Sequence, residues 1–123
     1  MKIHTVILAA GEGSRMLSNK AKSLQPVGGL SMLRRIFDTV SNLTDETSFV
    51  VGFEKDLVIN EIEKFSGINH ICEQKKPIGT ADAVKSALDS IKQDSKVLVL
   101  YGDVPLIKKE TLNIKVTMLA LYF

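Results

Sequence analysis

Apolar residues follow two rhythms along this chain, short unbroken runs and stripes that recur every three or four positions, and the two alternate. Ile3 to Leu8 reads as the first strand. Beyond a glycine-bearing loop, Leu33, Ile36, Phe37 and Val40 recur at the spacing that lines one face of a helix. Ser48 to Gly52 predicts a second short strand. Leu57, Val58, Ile62 and Phe65 predict a second amphipathic helix, closed by Gly67 where a helix C-terminus favours glycine. His70 to Glu73 predicts a brief third strand. Thr80 is placed to cap a third helix with Ala81, Val84, Ala87, Leu88 and Ile91 as its inner stripe. Lys96 to Tyr101 is the fourth strand; its Val97-Leu-Val-Leu100 core runs straight into Gly102-Asp103.

Strands alternating with helices predict an α/β fold, Rossmann-like and doubly wound, with a mainly parallel sheet and helices on both faces. In such a sheet ligands gather beyond the carboxyl ends of the strands. Gly11 to Arg15, Glu73 to Thr80 and Tyr101 to Asp103 are therefore expected to share one crevice. Repeats, low-complexity stretches and linkers are absent from the sequence, so the 123 residues read as one unit.

Composition narrows the partners. A hydrophobic content of 45% with 24% charged residues is that of ordinary soluble domains, and the apolar runs are far shorter than a bilayer span, so a cytoplasmic protein is expected. The formal charge of +2, with acids and bases interleaved, argues against nucleic acid as a partner. The single cysteine, Cys72, forms no intrachain disulfide and reads as a small buried apolar residue.

The chemistry concentrates in Val6-Ile-Leu-Ala-Ala-Gly-Glu-Gly-Ser-Arg-Met16. Gly11 and Gly13 let the backbone approach a ligand and present N–H groups to an anion, and Arg15 adds a mobile charge. Met16 stands where the dinucleotide fingerprint needs its third glycine, and the Gly-Lys-Ser/Thr ending of the NTPase phosphate loop is missing. A glycine-rich turn without a ligand is the plain alternative. Arg15, Lys20 and Lys22, opposed only by Glu12, would suit a polyanion such as a nucleoside triphosphate. Solvated loop lysines are the alternative there.

In this order, Leu8-Ala-Ala-Gly-Glu-Gly-Ser-Arg-Met16, Lys22, Gln74 followed by Pro77-Ile-Gly-Thr80, and Tyr101-Gly-Asp-Val-Pro-Leu-Ile107 resemble the sugar-phosphate nucleotidyltransferases. The likeness is greatest to the uridylyltransferase domain of the bifunctional bacterial enzymes that make UDP-N-acetylglucosamine, a precursor of peptidoglycan and lipopolysaccharide. The resemblance implies uridylyl transfer from UTP to N-acetylglucosamine 1-phosphate with Mg2+, releasing diphosphate. By the same likeness Leu8, Ala9, Ala10, Gly11 and Gly13 line the nucleotide pocket with Tyr101 and Gly102, and Gln74, Gly79 and Thr80 hold the uracil. Arg15 and Lys22 carry the catalytic charge on the phosphates, and Asp103 is the metal ligand. A sugar phosphate is already anionic, so no general base is needed and alignment with charge neutralisation suffices. A nucleotide-binding or interaction module without catalysis is the alternative reading.

Two departures from that family follow. Ala21-Lys22 replaces the usual Pro-Lys, which leaves the loop less preorganised. The chain also matches only the first half of the family's domain, so a truncated domain is expected over 1–123, with an atypical tail from about residue 114. Glu110 to Asn113 begins like a helix, yet the β-rich run from Val116 to Phe123 follows at once, too soon for a parallel crossover of about 10 to 12 residues. An uncovered apolar run of that kind is expected to favour self-association.

Overall fold

The structure is a computed structural model, and it describes residues 2–11, 21–76, 79–102 and 121–122. Four parallel strands form the sheet: β1 (Ile3–Leu8), β4 (Glu46–Val51), β5 (Asn69–Glu73) and β6 (Lys96–Tyr101). A small hairpin, β2 (Pro26–Val27) and β3 (Leu30–Ser31), stands apart from it. Two residues near the chain's end, β7 (Leu121–Tyr122), add an antiparallel edge beside β6, in the order β5-β4-β1-β6-β7. The helices are α1 (Met32–Val40), α2 (Lys55–Ile62) and α3 (Thr80–Ser86).

Side chains alternate across each strand, so the sheet has a core on each face. Ile7, Ala9, Phe49, Val51, Leu98 and Leu100 face one way and meet Leu33, Ile36, Phe37 and Val40 of α1 and Val58 and Ile62 of α2. Phe37 and Phe65 stack there at 4.7 Å between ring centroids, and each lies about 6 Å from Phe49. Val6, Val50 and Val97 face the other way and meet Ala83 and Ala87 of α3 and the turn after it. This is the doubly wound α/β arrangement expected from the sequence. The chain builds from β1 to β4 and β5 on one side, then crosses to place β6 on the other side of β1. That reversal opens a crevice between β1 and β6.

The boundaries differ from expectation in ways that packing explains. The second strand of the sheet begins at Glu46, because β4 pairs with His4 of β1 from that residue onward. On α2, Leu57 is half exposed: Val58 and Ile62, one turn apart, take the buried stripe and leave Leu57 turned toward solvent. On the third helix the buried residues are Ala83 and Ala87, whereas Ala81 and Leu88 are exposed. That helix stops at Ser86 and gives way to a 3-10 turn, which turns Leu88 outward while Ile91 still packs against the core on that face. Thr80 is the first helical residue and makes no capping bond; Gly79 is the cap. Cys72 is half-buried, its sulfur 3.7 Å from Ser90 Oγ. Leu121 and Tyr122 return antiparallel beside Val97 and Lys96, and an antiparallel neighbour needs no crossover helix. Among the described residues no helix is long and apolar enough to cross a membrane.

Candidate active site

The hydrogen-bond ladder of the sheet runs past the strands' ends and fixes the first residues of three loops. Ala9 N–H donates to the Val50 carbonyl at 2.8 Å, Gly102 N–H to that of Leu8 at 2.8 Å, and Gln74 N–H to that of Val51 at 2.8 Å. Around this rim lies a cavity of about 260 Å³ lined by Leu8, Ala9, Ala10, Gly11, Lys22, Gln74, Gly79, Thr80 and Tyr101. These are nine of the residues that the sequence singles out, drawn from separated stretches of chain. Gly13, Arg15 and Asp103, and Pro77 and Ile78 of the motif, lie outside the described residues.

Glycine is required at two positions by space or backbone. A Cβ on Gly102 would stand 2.8 Å from the Leu8 carbonyl oxygen and 3.4 Å from Ala9 Cα, both backbone atoms that cannot yield cheaply. Gly79 has φ of +115°, which L side chains rarely adopt, and it turns the chain from the β5 loop into α3. Thr80 Oγ1 lies 3.3 Å from the Tyr101 hydroxyl, joining two walls of the cavity at its exposed edge.

Lys22 opens a 3-10 turn, Lys22–Leu24, after buried Ala21. Ala21 has φ −54° and ψ 144°, inside the range proline would impose. The missing proline therefore leaves the native shape of this turn intact, and its effect falls on the unfolded chain.

The side-chain amide of Gln74 is partly engaged within the protein. A primary amide offers two hydrogens and an oxygen. Here Nε2 donates to the Gly79 carbonyl at 3.2 Å and to Asp82 Oδ2 at 3.0 Å, which engages both hydrogens within the protein. Only Oε1 remains to meet a ligand.

Sequence reasoning missed four neighbours of the site. Ser23 and Ala83 line the cavity, and Ser23 Oγ is buried with no hydrogen-bond partner among the described residues. Gly52 backs it, since a Cβ there would lie 3.1 Å from Ala10 Cβ and 3.3 Å from the Gln74 carbonyl. Asp82 holds Gln74. Ser23 and Gly52 carry no signal beyond small size, but Asp82, two residues past Thr80, is within helical reach of the loop.

The chain is 47% identical over 110 residues to the bifunctional protein GlmU of Ruthia magnifica subsp. Calyptogena magnifica, a match covering 89% of this chain and 24% of that protein. It thus spans about a quarter of that relative's length. Among solved structures, HddC from Yersinia pseudotuberculosis complexed with GMP-PN superimposes with a TM-score of 0.79 at 22% identity, covering 96% of this chain and 55% of HddC. A Mycobacterium tuberculosis protein solved in complex with manganese gives 0.73 at 18% identity, over 96% of this chain and 59% of that one. These two likenesses show the fold. The profile of the MobA-like NTP transferase domain matches residues 5–118, nearly the whole sequence, and the chain accordingly belongs to that family.

Proposed function

We propose that this domain binds UTP and transfers its uridylyl group to N-acetylglucosamine 1-phosphate, giving UDP-N-acetylglucosamine and diphosphate. The observation that carries the reading is the convergence of Leu8 to Gly11, Gln74, Gly79, Thr80 and Tyr101 on one cavity with Lys22 in its wall. Likeness to GlmU over 89% of the chain favours uridine and this sugar phosphate over other pairs. A phosphate oxygen of the sugar phosphate attacks the α-phosphorus of UTP, the bond to the α,β-bridging oxygen breaks, and diphosphate departs with that electron pair. The attacking group is an anion at neutral pH, so the protein's part is alignment and neutralisation.

In this reading Gln74, Gly79 and Thr80 hold the base, and Lys22 and Arg15 carry positive charge to the phosphates. Magnesium, when bound, would neutralise phosphate charge, with Asp103 as its hard oxygen donor and substrate phosphates completing the shell. Asp103 directly follows Gly102, whose N–H is bonded to Leu8 beside the cavity; this chain position and the oxygen donor fit such an ion.

Titration with UTP and Mg2+ in a calorimeter tests the reading. Binding is expected, and Lys22→Ala should weaken it by about tenfold or more, the usual loss for a charge-assisted contact. Release of diphosphate on adding N-acetylglucosamine 1-phosphate would support turnover; binding without release would support a nucleotide-binding module. A folded chain that gives neither heat nor a thermal shift with UTP would remove the nucleotide assignment.

A further inference from the structure

The environment of Gln74 settles which way its side-chain amide faces. The Gly79 carbonyl and the Asp82 carboxylate are both acceptors, so the NH2 end must meet them; the reverse orientation would set Oε1 against two oxygens, one of them charged. The Gly79 contact alone is long, at 3.2 Å, and closes a loop of only a few residues, whereas the Asp82 contact at 3.0 Å comes from the first turn of α3. Ser86 Oγ in turn donates to the Asp82 carbonyl at 3.0 Å, which ties that turn to the rest of the helix. Among the described residues no donor meets Gln74 Oε1, and Gln74 lines the cavity.

We propose that Asp82 is a positioning residue for base selection: by holding the amide hydrogens of Gln74 together with the Gly79 carbonyl, it makes the site read a base through an acceptor only. The inference rests on the reading above that this cavity takes the base of UTP. Uracil carries a hydrogen on its ring N3 and can donate to Oε1. Cytosine has a bare lone pair at that nitrogen, so a fixed carbonyl oxygen opposes it lone pair to lone pair. An acid in the first turn of a helix is commonplace through its favourable interaction with the helix N-terminus. Such a role would affect stability and leave base preference unchanged, and this separates the two.

The test compares Mg-UTP with Mg-CTP on the whole 123-residue chain by calorimetry. Wild type is expected to prefer UTP by about tenfold or more, since a site left with an unmatched polar group rejects the wrong partner strongly. Asp82→Asn removes the charge and lets position 82 either donate or accept, so the Gln74 amide is free to turn. The preference should then narrow to about threefold or less, chiefly through tighter CTP binding. In a Gln74→Met background the Asp82→Asn change should leave the ratio unaltered, because nothing remains to be oriented. Asp82→Ser replaces Asp82→Asn should circular dichroism show that variant unfolded. An unchanged UTP:CTP ratio in the Asp82 variants, or an equal effect without Gln74, overturns the inference and leaves the UTP site standing. Absence of UTP binding in folded wild type overturns both.

Discussion

His4 sits at the end of the sheet opposite the cavity, buried on the α3 face, and its chemistry is that of stability. Its Nε2 lies 2.6 Å from Ser48 Oγ, which in turn meets Ser90 Oγ at 2.5 Å, while the His70 ring stacks over it at 5.9 Å. Glu46, beside it, bonds His70 at 2.9 Å and pairs with Lys92 at 3.4 Å. Burial holds the His4 pKa below its ordinary value, against the pull of Glu46 and with help from His70 and Lys92. The bond from His70 is the main reason that Glu46 is also held low, with burial opposing it and Lys92 assisting. A histidine with a lowered folded pKa takes up its proton more readily when unfolded, so its contribution is full above the ordinary value near 6.5 and declines as pH falls below it. The Glu46 contribution is present above about 4.5 and is lost as pH falls through the lower folded value. Urea unfolding midpoints should therefore fall from pH 7.5 to 5.5, and His4→Gln should flatten that limb; an equally steep limb in the variant would refute the assignment. The sequence placed this histidine in the first strand but not its partners, which come from β4, β5 and the turn after α3.

At the scale of elements, α1 shows a helix whose local signals and tertiary role agree. Ser31 Oγ accepts a hydrogen bond from Arg34 N–H at 3.0 Å, satisfying one of the donors that a helix N-terminus leaves open. Arg35 then bonds the Val27 carbonyl at 2.9 Å and that of Gly28 at 2.8 Å, and this fastens the β2–β3 hairpin to the helix. Ser31→Ala should cost about 1 kcal/mol in chemical denaturation, typical of a lost cap. The hairpin itself was legible and missed: Gly28 and Gly29 both have positive φ, the requirement of a tight two-residue turn, but their flanking strands of two residues are too short to show alternation. For α2 and α3 the apolar spacing located the helices and most of their buried stripe, but it wrongly included Leu57, Ala81 and Leu88, since a helix of seven or eight residues gives the pattern barely two turns in which to declare itself.

For the molecule as a whole, binding and stability are linked through the sheet. The cavity is lined from the loops after β1, β5 and β6, whose first residues are fixed by the sheet's hydrogen-bond ladder, so a ligand bridging them joins both sides of the crevice. If the folded chain alone binds nucleotide, UTP with Mg2+ at a hundred times its Kd should stabilise it by about 2.7 kcal/mol. For a domain of this size that is a rise in Tm of about 10 °C, and differential scanning fluorimetry reads it directly. A rise that is equal with UTP and with inorganic triphosphate would assign the effect to the phosphates and deny the base a part.

The strands, the core stripe of α1 and the meeting of Gly11, Gln74, Gly79, Thr80 and Tyr101 around one cavity were legible in the amino acids themselves, while Leu8 to Ala10 and Lys22 were pointed to by the family resemblance. Periodicity records which side of a strand or helix is buried, and parallel sheets collect their ligands at one edge. Tertiary structure alone decided that the reversal falls between β1 and β6, the antiparallel return of β7, the hydrogen-bonded chain from His4 to Ser90, and the orientation of the Gln74 amide. Each of these depends on groups brought together across the fold, and a hydrogen bond is directional: the residue at a position says what it can donate or accept, while only its neighbours in space say which of these it does.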